Sequence, residues 1–269
     1  MTALTARAVT VEVAGGRRLL EAVSVSLPAG RLTGIIGPNG AGKSTLLRVL
    51  AGVTEPAAGT LAHAGRPLPR PGSRARARLI GFLPQGHAVH WPLTVRRTVA
   101  LGRLPHLHAW QSRLGPADEA AVAAALDRTS TAALADATVE TLSGGERARV
   151  MLARVLVTET PVLLADEPAA ALDPRHQLAV MGLLREEAHR AGRAVAVVLH
   201  DLSLAARYCD DLILLAEGRV LAAGVAAAAL ASPALEEAYG VRFARSRVDG
   251  AAVVTPLEPH APPPLAAAQ

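Results

Sequence analysis

The stretch Gly37-Pro38-Asn39-Gly40-Ala41-Gly42-Lys43-Ser44-Thr45 constrains this chain more than any other. It has the G-x-x-x-x-G-K-[ST] spacing of a phosphate-binding loop. Leu32 to Ile36 before it read as a buried strand, and Leu46 to Leu50 after it as a helix. Glycines let successive backbone N–H groups turn inward onto phosphate oxygens, and the helix adds its positive N-terminus. Lys43 is placed to meet the terminal phosphates, and the Ser44 hydroxyl to ligate Mg²⁺. Lys43 is the only lysine among 28 lysines and arginines, and Asn39, in the same loop, is the only asparagine. Elsewhere arginine supplies the cations. A guanidinium is too broad and planar for a closed loop around phosphates, whereas an ammonium fits.

A second element supports the loop. Val162-Leu163-Leu164-Ala165 is an apolar strand that ends in Asp166-Glu167. The first carboxylate can hold Mg²⁺, and the second can orient and deprotonate an attacking water.

Composition narrows the class. Hydrophobic residues make up 51% of the 269 and charged residues 19%, which describes a globular chain long enough for a substantial core. The single cysteine, Cys209, excludes an internal disulfide framework and points to a reducing compartment. The first residues lack the apolar core of a signal peptide. No apolar run approaches the roughly 20 residues of a membrane span. The net charge of +5 and pI of about 10.5 permit an anionic ligand, but only Arg74 to Arg78 form a dense basic run, so scattered surface arginines are the simpler reading.

Along the chain, residues 7 to 13 alternate as a half-buried strand, and 19 to 27 as another. Residues 79 to 84 form a short apolar strand. From Thr94 to Leu156 the pattern is helical. Leu178 to Ala191 reads as a helix and Ala194 to Leu199 as a strand. Asp211 to Leu215 and Arg219 to Ala223 read as a hairpin around Glu217-Gly218. After Gly240, Pro256, Pro259 and Pro262 to Pro264 mark a loosely ordered tail. The order of elements is that of an α/β domain interrupted by a helical one.

The discriminating motif is Leu142-Ser143-Gly144-Gly145-Glu146. Ser143 is a good N-cap, and a helix starting there presents N–H groups and a positive dipole end to an anion. This is the signature of ATP-binding cassette proteins, and over residues 5 to 240 the chain resembles the ATP-binding subunit of an ABC transporter. Further motifs fall in the family's order: Gln85 as the Q-loop glutamine, Ala171-Leu172-Asp173 as the D-loop, and His200 as the switch histidine.

The resemblance implies a P-loop NTPase core, residues 1–85 and 161–240, with an antiparallel β subdomain. A helical signature subdomain, 86–160, is inserted, and a Pro/Ala-rich tail, 241–269, follows. It implies ATP and Mg²⁺ as cofactors. Gly37, Pro38, Asn39, Gly40, Ala41, Gly42, Lys43, Ser44 and Thr45 would hold the phosphates. Ser44, Gln85 and Asp166 would serve Mg²⁺. Glu167 would be the general base, with His200 contacting the γ-phosphate. Ser143, Gly144, Gly145, Glu146 and Asp173 would act across a head-to-tail homodimer that sandwiches two ATP molecules. The helical insertion would receive a transmembrane permease at the cytoplasmic face of the membrane, with a substrate-binding protein engaged indirectly. The alternative is a soluble cassette ATPase acting on nucleic acid or ribosomes, which the basic pI would suit. Such proteins generally carry two cassettes in one chain or a long coiled coil, and neither is seen here, so nucleic acid is not an implied partner.

Two departures stand out. The family's adenine-stacking aromatic is absent from Val11 to Gly16, and Ala169 replaces a residue often Thr or Ser. The stretches Leu101 to His106, His200 to Asp210 and Tyr239-Gly240-Val241 resemble the importers of iron–siderophore, haem and cobalamin. His87, His90, His106 and His108 lack the spacing of a ligand set and read as surface or interface residues.

Overall fold

The computed structural model describes residues 2–13, 15–86, 92–107, 113–170 and 172–259. The chain opens with β1 (Thr2–Glu12) and β2 (Arg18–Pro28), joined antiparallel, and then β3 (Arg31–Ile36) enters the phosphate loop and α1 (Lys43–Ala51). β4 (Ala58–His63) and β5 (Arg66–Pro67) complete a β2-β1-β4-β5 sheet. α2 (Arg74–Ala77) and β6 (Ile80–Leu83) follow. Next come α3 (Val95–Ala100), a 3₁₀ segment at Leu101–His106, α4 (Pro116–Arg128) and α5 (Gly144–Leu156). The chain returns through β7 (Val162–Asp166), α6 (Pro174–His189), β8 (Ala194–Val198), α7 (Leu202–Tyr208), β9 (Asp211–Ala216) and β10 (Arg219–Val225). It continues with α8 (Ala226–Ala231), α9 (Pro233–Tyr239), β11 (Val241–Val248) and β12 (Ala251–Pro259).

The central sheet runs β10-β9-β3-β8-β7-β6, parallel except for β10. β7 and β8 are buried along their whole length, as strands covered on both faces must be. One face packs on α1 and the antiparallel sheet through Leu4, Val9, Leu20, Leu46 and Leu50. The other packs on α5, α6, α7 and the C-terminal elements through Leu152, Met181, Leu184, Leu202 and Phe243. Val95, Val99, Val122, Leu126, Val139 and Val150 make a separate small core. α5 serves both sides: Met151, Leu152 and Val155 face the sheet, while Val150 and Ala153 belong to the small core with α3 and α4.

Register places the site. Ile35 lies beside Val198, and Val198 beside Asp166; Leu83 lies beside Ala165. The C-terminal ends of β3, β8, β7 and β6 are therefore level. Residues just past them meet, as ligands do at the carboxyl edge of an open α/β sheet.

The chain beyond Gly240 corrects the sequence reading. Up to Pro259 it is an antiparallel hairpin, not a loose tail. Phe243 and Val254 are buried in the main core. Pro256 and Pro259 are tolerated because the sheet has two strands, where a proline can face outward without breaking a ladder.

Candidate functional site

The phosphate loop is held by packing that accepts only glycine at its ends. A Cβ on Gly37 (φ 146°) would lie 2.0 Å from the Leu215 carbonyl oxygen. One on Gly42 (φ 99°) would lie 2.8 Å from that of Leu19. Within the loop Lys43 is buried, and its ammonium donates to the carbonyls of Gly37 and Pro38, both at 2.8 Å. Burial lowers its pKa, and the charges of Glu167 and Asp166 oppose that shift. Asn39 and Gly40 are exposed, and with Pro38 and Ala41 they line a cavity of about 700 Å³. Thr45 occupies the first turn of α1.

Asp166 closes β7 at 1% exposure, and its Oδ1 accepts the Ser44 hydroxyl at 3.0 Å. Its Oδ2 is buried and has no hydrogen-bond partner among the described residues. Burial raises its pKa, because water no longer stabilises the carboxylate. A buried, orphaned carboxylate oxygen beside a hydroxyl is a hard oxygen donor set, and it fits Mg²⁺. Gln85 is not bonded to this pair: its amide donates to Glu167 Oε2 at 3.0 Å.

Glu167 follows with φ 52°, a left-handed backbone that costs a non-glycine residue about 1 kcal/mol or more. That turn aims its carboxylate away from the strand. One oxygen takes the Gln85 amide and the other lies 2.6 Å from His200 Nε2. A cavity of about 330 Å³, lined by Glu167, Ala169, Gln177, Leu199, His200 and Leu204, adjoins them. Ala169 is buried, and its carbonyl accepts from the Gln177 amide at 3.2 Å.

The signature forms a different surface. Ser143 caps α5, its hydroxyl accepting from the Glu146 N–H at 3.3 Å and donating to the Glu146 carboxylate at 2.7 Å. The carboxylate also accepts the Ser143 N–H at 2.9 Å, and these bonds hold the Glu146 pKa down. Ser143 and Gly144 are exposed, and a Cβ on Gly144 would meet open space, whereas Gly145 lies against Leu172. Asp173 caps α6 through the His176 N–H at 3.0 Å and pairs with its ring Nδ1 at 2.6 Å. The bonds of Ser143 and Asp173 stay within their own helical turns, so the structure does not bring them to the loop of the same chain. Ala171, Ala14, His87, His90 and His108 lie outside the described residues. His106 Nε2 contacts the Thr158 carbonyl at 2.9 Å.

The ABC transporter profile matches residues 20–170. This chain belongs to the ABC transporter family. It is similar to the cobalamin import ATP-binding protein of Halobacterium salinarum (45% identity over 250 residues, 92% of this chain, 62% of that protein). The chain thus spans less than two thirds of that relative. It is also similar to the hemin import ATP-binding protein of Nocardia farcinica (45% over 260 residues, 94% of this chain, 89% of that one). Among solved structures, a bacterial ABC transporter cassette determined as a dimer superposes with TM-score 0.75 at 27% identity, covering 83% of this chain and 98% of that one. The fold is that of the ABC ATPase cassette, as the motif order implied.

Sequence reasoning missed one residue at the site. The Tyr239 hydroxyl accepts the Gly37 N–H at 2.9 Å, across 202 positions of chain. Tyr239 stood out only as part of the Tyr239-Gly240-Val241 stretch, and no local signal pointed it at the loop.

Proposed function

We propose that this chain is the ATP-binding, ATP-hydrolysing subunit of an ABC importer. It energises transmembrane uptake of an iron complex (siderophore or haem) or of cobalamin. The observation that carries the hydrolytic half is the Glu167 carboxylate, held on one oxygen by His200 and on the other by Gln85. A base held at both oxygens has a fixed direction, and positioning is most of what phosphoryl transfer to water requires.

In this reading the loop amides and Lys43 bind the phosphates, and Lys43 gives up its two carbonyl contacts to do so. Ser44 and Asp166 would hold Mg²⁺, which when bound would offset phosphate charge. Glu167 accepts the proton of the attacking water. His200 keeps Glu167 oriented and faces the γ-phosphate. Gln85 lies at the start of the segment leading into the helical region, so its amide can report the state of the site to that region. The exposed Ser143-Gly144 end of α5 and Asp173 serve the site of a second chain, so hydrolysis requires a head-to-tail dimer.

Among the described residues no helix is long and apolar enough to cross a membrane. In this reading the helical region is where a permease docks, at the cytoplasmic face of the membrane. The cargo class rests on the stretches near Leu101, His200 and Tyr239 and on the import functions named for the two relatives. The test is ATPase activity of the chain reconstituted with its permease. Candidate binding proteins are supplied loaded with siderophore, haem or cobalamin. Stimulation by one loaded protein is expected. Basal turnover indifferent to all three overturns the cargo assignment, and absence of turnover overturns the hydrolytic one.

A further inference from the structure

Gly37, at the entry to the phosphate loop, is tied through both of its backbone polar groups, and in the reading above nucleotide binding draws the Lys43 tie away. The Gly37 carbonyl accepts from Lys43, and the Gly37 N–H donates to the Tyr239 hydroxyl at 2.9 Å. Lys43 is needed by the phosphates. Tyr239 approaches from the opposite end of the same peptide-bearing residue and belongs to a different part of the chain. The backbone at Gly37 is tightly packed, because a Cβ there would collide with the Leu215 carbonyl.

Tyr239 is in turn fixed. It ends α9, and Gly240 follows in the left-handed conformation that closes the helix. Its ring stands edge-on to Phe243, with centroids 5.6 Å apart and planes at 88°. Phe243 is buried in β11, and its N–H donates to the Glu236 carboxylate at 3.3 Å. The partner strand β12 reaches α7: the Val254 N–H donates to the Ser203 hydroxyl at 3.0 Å, and that hydroxyl donates back to the Val254 carbonyl at 3.2 Å. Ser203 lies in the first turn of the helix that follows His200. A cavity of about 550 Å³ between these elements is lined by His200, Ser203, Tyr239, Phe243 and Val254.

We propose that Tyr239 is a positioning residue of the ATP site. Its hydroxyl sets the first peptide of the phosphate loop, and the C-terminal hairpin holds it there by bracing against the switch helix. The proposal rests on residues 37–45 being the triphosphate seat. With Lys43 engaged elsewhere, the Tyr239 hydroxyl keeps the entry to the loop in the shape that aims its amides at phosphate. The benefit is pre-organisation, which appears as affinity.

The test compares Tyr239→Phe and Tyr239→Leu in the full-length chain. Each is titrated with a fluorescent ADP analogue, and Tm, KM for ATP and kcat are measured alongside. Tyr239→Phe removes the hydroxyl and keeps the ring against Phe243. The expected result is affinity weaker by about 3- to 10-fold, the worth of one hydrogen bond. KM should rise accordingly with kcat near the wild-type value and Tm unchanged. Tyr239→Leu should lose a similar factor in affinity and additionally lower Tm. If Tyr239→Phe binds as wild type and only Tyr239→Leu is impaired, the ring's packing is what matters and the proposal is overturned. Weakened binding in Tyr239→Phe that tracks a fall in Tm overturns it as well. Failure of the wild-type chain to bind the analogue overturns the seat itself, a distinct result.

Discussion

His200 Nε2 lies 2.6 Å from Oε1 of Glu167, although the two residues leave the sheet from different strands. The contact follows from register: Asp166 and Val198 are side by side, so Glu167 is one residue and His200 two residues past the same level. Glu167 reaches across because its backbone takes φ 52°. Glu167→Gln retains a group able to bond with His200 and Gln85 but cannot accept the proton. Phosphate release should fall by about 10²- to 10⁴-fold, the usual contribution of a general base. ATP binding and ATP-dependent dimerisation, followed by size-exclusion chromatography, should persist. Turnover near the wild-type rate would sink the assignment.

Lys43→Arg tests the lone lysine. Lys43 is 6% exposed and sits between two loop carbonyls at 2.8 Å. A guanidinium conserves charge but is planar and larger, and the glycine-tight loop has no room to spread around it. ATP hydrolysis should drop by at least about 10²-fold, which corresponds to about 2.7 kcal/mol or more of transition-state stabilisation. Tolerance of arginine would mean that the survival of one lysine has no chemical cause.

Much of this site was legible because its parts are local. The strand–loop–helix spacing around Lys43, the two acids ending β7 and the cap at Ser143 are each written within a few residues. What was not legible is pairing at a distance. β4 was missed because its residues are exposed or half-buried throughout, which leaves no clear alternation to read. β11 and β12 were hidden by prolines that a two-stranded sheet accommodates. The Tyr239 bond to Gly37 spans 202 positions, and nothing near either residue announces it.

Asp166→Asn should separate stability from function. Burial raises the Asp166 pKa in the folded chain, outweighing the Ser44 hydrogen bond and the nearby cations. An acid whose folded pKa is raised binds a proton more tightly when folded. It favours folding most below its unfolded pKa, and that benefit is lost as pH rises through the folded value. At neutral pH without Mg²⁺, Asp166→Asn should therefore melt above the wild type. The gap should close as pH falls through the carboxylate range and the wild type takes its proton. The same variant should lose the added stabilisation that Mg²⁺ with nucleotide gives the wild type, as scanning calorimetry with and without chelator would show. A variant melting below the wild type at pH 7 would contradict the buried-charge cost.

Cys209 offers a probe of the central sheet. Its thiol is buried at the end of α7, and burial, with help from Asp210, pushes its pKa up to about 12. The thiolate is the reactive species, so at pH 8 only about one thiol in 10⁴ is poised to react even before access is considered. A maleimide or an aromatic disulfide reagent should leave the native chain unlabelled at pH 8 and modify it at one site once it unfolds. The Cβ of Gly34→Ala would lie 2.9 Å from the Cys209 sulfur and 2.6 Å from Leu212 Cδ2. β3 cannot retreat, because it is paired on both sides with β8 and β9. Overpacking of this kind costs about 1–3 kcal/mol. If opening is fast relative to labelling, Gly34→Ala should label about 5- to 150-fold faster than the wild type in mild denaturant. Equal labelling rates would show that the strand yields without cost and that Gly34 is not required there by packing.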